Sequence, residues 1–211
     1  MSSIGQLRSR GGVTTGVGPR GRFTPRRFWL VSVIVMLSMA AIPSARADEY
    51  GTGAGDYVGV RPDNHTHTWC WVNAWPEVEF WGAVHGIHNL DDQSAFTQVH
   101  APTCESITDV RFTYFSDSGQ QILGDNICLG RNSANECESS RTRLNGSKIT
   151  FDYDARKTAC HEVGHSAGLR HHVRDTQPRS CMTSGAQDAD WYWNYYYQHH
   201  VDHLNNCGCV G

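Results

Sequence analysis

His161-Glu162-Val163-Gly164-His165-Ser166-Ala167-Gly168-Leu169-Arg170-His171 is the most informative stretch of this 211-residue chain. His161 and His165 are four positions apart, so a helix places them one turn apart on one face. Two imidazoles so placed can hold a Zn²⁺ ion at about 2.0–2.1 Å from each nitrogen. Glu162 falls beside them without being needed as a ligand, which suits a general base. Gly168 can adopt the left-handed backbone that ends a helix and turns the chain sharply. Such a turn would return His171 towards the pair as a third ligand. A fourth coordination position then stays open, as a catalytic zinc site requires.

The full pattern H-E-x-x-H-x-x-G-x-x-H resembles the long zinc-binding signature of the metzincin endopeptidases. A bare HExxH recurs by chance in many helices, but three further fixed positions make coincidence an inferior explanation. Ser180-Cys181-Met182-Thr183 follows at the distance where metzincins carry their Met-turn. The resemblance implies a catalytic zinc on His161, His165 and His171, with Glu162 as base. It also implies that Met182 forms a hydrophobic floor below the metal and does not ligate it. The implied fold is α+β and zincin-like. It consists of a twisted mixed sheet with an active-site helix, then a smaller irregular C-terminal part ending in a helix. The likeness covers about residues 148 to 206 and little before them. Two positions depart from the commoner subfamilies. His172 follows the third histidine and is the alternative third ligand, and no tyrosine stands two residues after Met182. The chain therefore resembles a small secreted metzincin-like or matrixin-like peptidase of open subfamily.

Residues 1–47 carry seven arginines and no acid, then an apolar run from Phe28 to Ile42 and an Ala45-Arg46-Ala47 site. This is the pattern of a secretory signal peptide cut after Ala47. The run is shorter than the roughly 18–20 residues of a membrane span, although a retained anchor is the competing reading. Arg26-Arg27-Phe28-Trp29-Leu30 also resembles a twin-arginine signal, so the general secretory and twin-arginine routes both stay open. Residues 48–64, rich in Gly and Asp, read as a flexible lead-in or short pro-segment. Residues 65–211 form the expected catalytic domain.

Beyond residue 47 there are eleven basic against twenty-one acidic residues, a net of −10, although the whole chain carries only −3. That balance excludes nucleic acid and an anionic membrane as partners and leaves a protein or peptide substrate. No stable membrane association is expected after signal cleavage, and the mature protein is expected to be a monomer. All eight cysteines lie in the same region. On an exported chain an even count reads as disulfides, and the absence of any CxxC pair argues against a structural zinc knuckle. The fold implied by the resemblance brings Cys160 and Cys181 both towards the metal, so a bridge between them is plausible. Cys181 with Cys207 or Cys209 is the alternative.

Coarse patterning predicts one or two strands within Thr66 to Trp81 and a half-buried strand over Asp109 to Phe115. Cys128 and Cys137 bracket a polar loop that they could staple. Asn145-Gly146 predicts a two-residue hairpin turn, with Ile149, Phe151 and Tyr153 on one face of its second arm. The zinc helix is expected from Ala155 to about Ala167, and a closing helix is signalled by Tyr197, Val201 and Leu204. The remaining histidine pairs (His65/His67, His85/His88, His199/His203) read better as solvated or hydrogen-bonded groups than as ligands. The aromatic run Trp191–Tyr197 reads as core, with a specificity pocket or an oxyanion-stabilising tyrosine as the alternative. Asn64 and Asn145 lie in glycosylation sequons.

The resemblance and the motif together imply a secreted zinc metalloendopeptidase that hydrolyses peptide bonds by metal-activated water with Glu162 as base. The rivals are a binding protein that keeps this scaffold without turnover, and a zinc hydrolase of a non-peptide amide.

Overall fold

The computed structural model describes residues 61–171 and 179–207. The expected signal peptide, most of the lead-in, His172 and Cys209 lie outside these residues.

Five strands build one mixed sheet in the order β2-β1-β3-β5-β4. They are β1 (Thr66–Trp71), β2 (Thr97–His100), β3 (Val110–Phe115), β4 (Gly124–Arg131) and β5 (Cys137–Asn145). β2, β1, β3 and β5 run parallel, and β4 lies antiparallel on β5 at one edge. Three α-helices accompany the sheet: α1 (Glu77–Gln93), α2 (Asp152–Ser166) and α3 (Gln198–Asn205). The mixed α/β architecture is the expected one: a sheet with a central helix, then an irregular C-terminal part closed by a helix. Among the described residues no helix is long and apolar enough to cross a membrane.

Helix α1 corrects the expectation of strands reaching Trp81. Strand β1 ends at Trp71, and Val78 and Phe80 belong to the helix. Pro76 occupies the N-cap, Glu77 and Glu79 favour the positive end of the helix dipole, and Ala83, Ile87 and Leu90 form one buried stripe. A parallel β1–β2 pair also needs a long crossover, which this helix supplies. It packs closely on α2, because a Cβ on Gly82 or Gly86 would stand 2.6 Å or 2.7 Å from atoms of Ala155 and Ala159. The main core lies around these helices and includes Phe96, Phe112, Val163, Met182 and Leu204.

The predicted hairpin at Asn145-Gly146 does not form. Strand β5 ends at Asn145, and the chain turns directly into α2 at Asp152. Both edges of β5 are already paired, by β3 and β4, so a second arm has no edge to join. Lys148 N and Ile149 N instead donate to Asn145 O at 3.0 and 3.1 Å. The Asn145 side chain is fully buried and donates to Asp117 O and Ile122 O, which excludes its sequon from glycosylation in the folded chain.

Three disulfides join described cysteines: Cys70–Cys104, Cys128–Cys137 and Cys160–Cys181. The second staples the turn between β4 and β5, although β4 runs on to Arg131 and shortens the loop to residues 132–136. The third is the bridge named as plausible above, and it rules out the pairing of Cys181 with Cys207 or Cys209. Arg61 and Asp63, at the end of the segment read as lead-in, bond to the backbone of Cys137.

Candidate metal centre

Helix α2 begins at Asp152, three residues before the expected start, and its buried face runs almost without interruption from Lys157 to Ser166. His161 and His165 project from that face and are nearly inaccessible, at 7% and 5% exposure. After Ala167 the chain closes the helix in a Schellman turn: Gly168 N donates to His165 O at 2.9 Å, and Leu169 N donates to Gly164 O at 2.9 Å. Gly168 takes φ 86°, the left-handed value for which glycine is suited. The turn brings His171 beside the pair, with its ring 4.9 Å from that of His161 and 4.8 Å from that of His165. One nitrogen from each histidine lies within 4.8 Å of the others, and among the described residues no other cluster of His, Cys, Asp or Glu could hold a metal.

The hydrogen bonds on the far side of two rings set their tautomers. His161 Nδ1 faces Cys181 O at 2.8 Å, and His165 Nδ1 faces Leu169 O at 2.7 Å. A carbonyl oxygen only accepts, so each Nδ1 carries the proton and each neutral ring turns an Nε2 lone pair inward. Those two Nε2 atoms stand 3.1 Å apart. With both protons committed elsewhere, the pair faces lone pair to lone pair, which is repulsive unless a cation lies between them. Tetrahedral coordination at about 2.0–2.1 Å would separate two nitrogens by roughly 3.3 Å, so the spacing of this helix pair is compatible with a metal ion such as zinc. Burial, together with Lys157 and the neighbouring histidines, holds His161 well below its usual pKa and keeps it in the neutral form a metal needs.

Glu162 lies at the same cleft, 5% exposed. Burial pushes its carboxyl up to about 8, an effect that Lys157 opposes and Asp125 reinforces. Met182 is fully buried below the helix. A Cβ on Gly164 would press on Met182 Sδ and stand 2.9 Å from Tyr196 Cε1, so this position needs the smallest residue. Tyr196 is core, with its hydroxyl donating to Cys160 O at 2.9 Å, whereas Trp191 and Tyr192 are exposed at 58% and 51%. The expected core assignment therefore holds for Tyr196 and fails for Trp191, Tyr192, Tyr195 and Tyr197, all of which are exposed.

The other described histidines form no cluster that could hold a metal. His85 Nε2 lies 3.2 Å from Asn194 O, His65 Nε2 lies 3.4 Å from Leu204 O, and His67 is buried against Phe96.

Two further residues line the cleft and belong to no motif in the sequence. Lys157 is 6% exposed and donates from Nζ to Thr183 O at 2.5 Å and Gly185 O at 3.0 Å. Burial lowers its ammonium to about 8, against the pull of Glu162 and Asp154. Stepping back four positions from His161 along the same helix face would have found it. Asp125, on edge strand β4, pairs with Arg143, and no sequence signal marked it.

No family model and no curated protein matches this chain. Among solved structures it is similar to that of myroilysin, with 17% identity and a TM-score of 0.38, over 53% of this chain. The match spans 52% of the myroilysin chain, about half its length. The functional reading rests on the site's own geometry.

Proposed function

We propose that this chain is a secreted zinc-dependent endopeptidase of metzincin type. The observation that carries the proposal is the inward convergence of His161 and His165 Nε2, each fixed by a carbonyl behind its ring, with buried Glu162 alongside.

His161, His165 and His171 would hold the ion. Zinc supplies Lewis acidity, polarising a carbonyl and lowering the pKa of water to near neutrality. The rest belongs to the chain's own residues. Glu162 takes a proton from the attacking water on a carboxylate oxygen and returns it to the leaving amine. Disulfide Cys160–Cys181 ties the helix carrying the ligands to the segment that supplies the carbonyl behind His161. Substrate would lie extended in a cleft of ≈ 610 Å³ whose rim includes Gly124 to Asn126 of β4. That strand has β5 on one side only, so a peptide can add to its other edge.

Cleavage of casein by the purified protein, assayed with and without a chelator, tests the reading. Proteolysis should vanish on chelation and return with zinc. A protein that binds zinc but cleaves neither casein nor peptides would instead be a binding protein on this scaffold.

A further inference from the structure

The cleft differs in charge from the rest of the chain. Beyond residue 47 the protein carries a net −10, yet Lys148 and Lys157 both line the cavity that holds the three histidines. Of the two cleft carboxylates, Asp125 is neutralised by Arg143, and Glu162 is the proposed base.

Lys157 is the more unusual of the two lysines. Lysine is rarely buried without a charged partner. Here the ammonium meets two neutral carbonyls, Thr183 O and Gly185 O, which occupy two of its three N–H donors. One donor remains for something else. Glu162 and Asp154 attract the ammonium through space without hydrogen-bonding it, so a carboxylate brought by a ligand could take the third donor in a charge-assisted hydrogen bond.

The position suits a substrate side chain. Lys157 precedes His161 by one helical turn and lines the same cavity as the three histidines, so a substrate side chain close to the scissile bond can meet it. We propose that Lys157 is a specificity-determining residue, whose ammonium receives the carboxylate of an Asp or Glu side chain next to the scissile bond. The inference rests on the peptidase reading for the words "scissile bond", while recognition of the acidic side chain can be measured without turnover.

Peptide pairs that differ only in Glu against Gln, placed in turn on either side of the scissile bond, provide the test. With the wild-type protein, kcat/KM should favour Glu by about 10–100-fold at one of those positions. In Lys157→Met the ratio should fall to about one, and in Lys157→Arg the preference should survive. Fluorescence anisotropy with zinc-loaded Glu162→Ala should show the same Glu preference in Kd, lost when Lys157→Met is added. Equal cleavage of the two peptides, or a preference that survives Lys157→Met, overturns the inference and leaves the peptidase reading intact. Binding that favours Glu without any cleavage by the wild type has the opposite meaning, sustaining acid recognition while the peptidase reading falls. Should Lys157→Met fail to fold, as its ties to residues 183 and 185 allow, the wild-type Glu/Gln ratio and Lys157→Arg decide.

Discussion

The carbonyl oxygen of Leu169 stands 2.7 Å from Nδ1 of His165, four residues before it. The same turn that terminates helix α2 therefore also orients one of the proposed metal ligands. Gly168 makes the turn, the turn aims the Leu169 carbonyl at the ring, and the ring turns its other nitrogen towards His161 and the proposed metal position. Helix termination and the orientation of this histidine are one structural event here.

The third ligand is the first point to check. His171 sits within ligand reach of both helix histidines. We expect His171→Ala to weaken zinc binding far more than His172→Ala, as measured by competition with a chromophoric chelator. The reverse order would reassign the ligand.

The floor of the site tolerates no added bulk at Gly164. Gly164→Ala would drive a methyl group into Met182 Sδ and Tyr196 Cε1 in a fully packed region. Overpacking of this kind costs about 1–3 kcal/mol, to be read as a lowered urea midpoint with an unchanged m-value. An unchanged midpoint would show that the floor can yield.

Disulfide Cys160–Cys181 should stabilise both fold and site. It closes a loop with a sequence separation of 21, for which the chain-entropy model gives about 3 kcal/mol. The paired Cys160→Ala and Cys181→Ala substitutions should cost stability of that order. They should also weaken zinc binding by about 10–100-fold, because Cys181 O orients His161. Chemical denaturation and zinc titration of the double variant measure the two effects separately. Full retention of zinc affinity would detach the bridge from the site.

Acid sensitivity should come in part from His67. Burial lowers this histidine to about 3, and His65 adds to the effect. Its Nδ1 is buried with no hydrogen-bond partner. The unfolded chain takes up a proton near pH 6.5 and the folded chain only near 3, so stability is full above 6.5. It then declines as pH falls, and the loss is complete below 3. At pH 5 the loss is about 2 kcal/mol relative to pH 7.5. Urea unfolding of His67→Leu should be flatter than wild type over that interval, and equal slopes would exonerate His67.

The cluster of three histidines proposed to hold the metal was legible because its information is local. The i, i+4 histidines, the intervening Glu162 and the terminating Gly168 all lie within eleven residues of helix and turn. What the sequence hid was non-local. Asn145-Gly146 has hairpin chemistry, but β3 and β4 already occupy both sides of β5, which only the assembled sheet reveals. Val78 and Phe80 have strand propensity, yet the crossover between parallel β1 and β2 places them in a helix. Lys157 looks like a solvated helix residue until the carbonyls of Thr183 and Gly185 close over it.

Glu162 carries the central claim, since it is placed for proton transfer and not for coordination. The most direct measurement is peptide cleavage by Glu162→Ala, made on a sample whose zinc content has been determined. We expect zinc to stay near one ion per chain while kcat falls by at least about 10²–10⁴-fold. Cleavage near the wild-type rate with zinc bound would contradict the account.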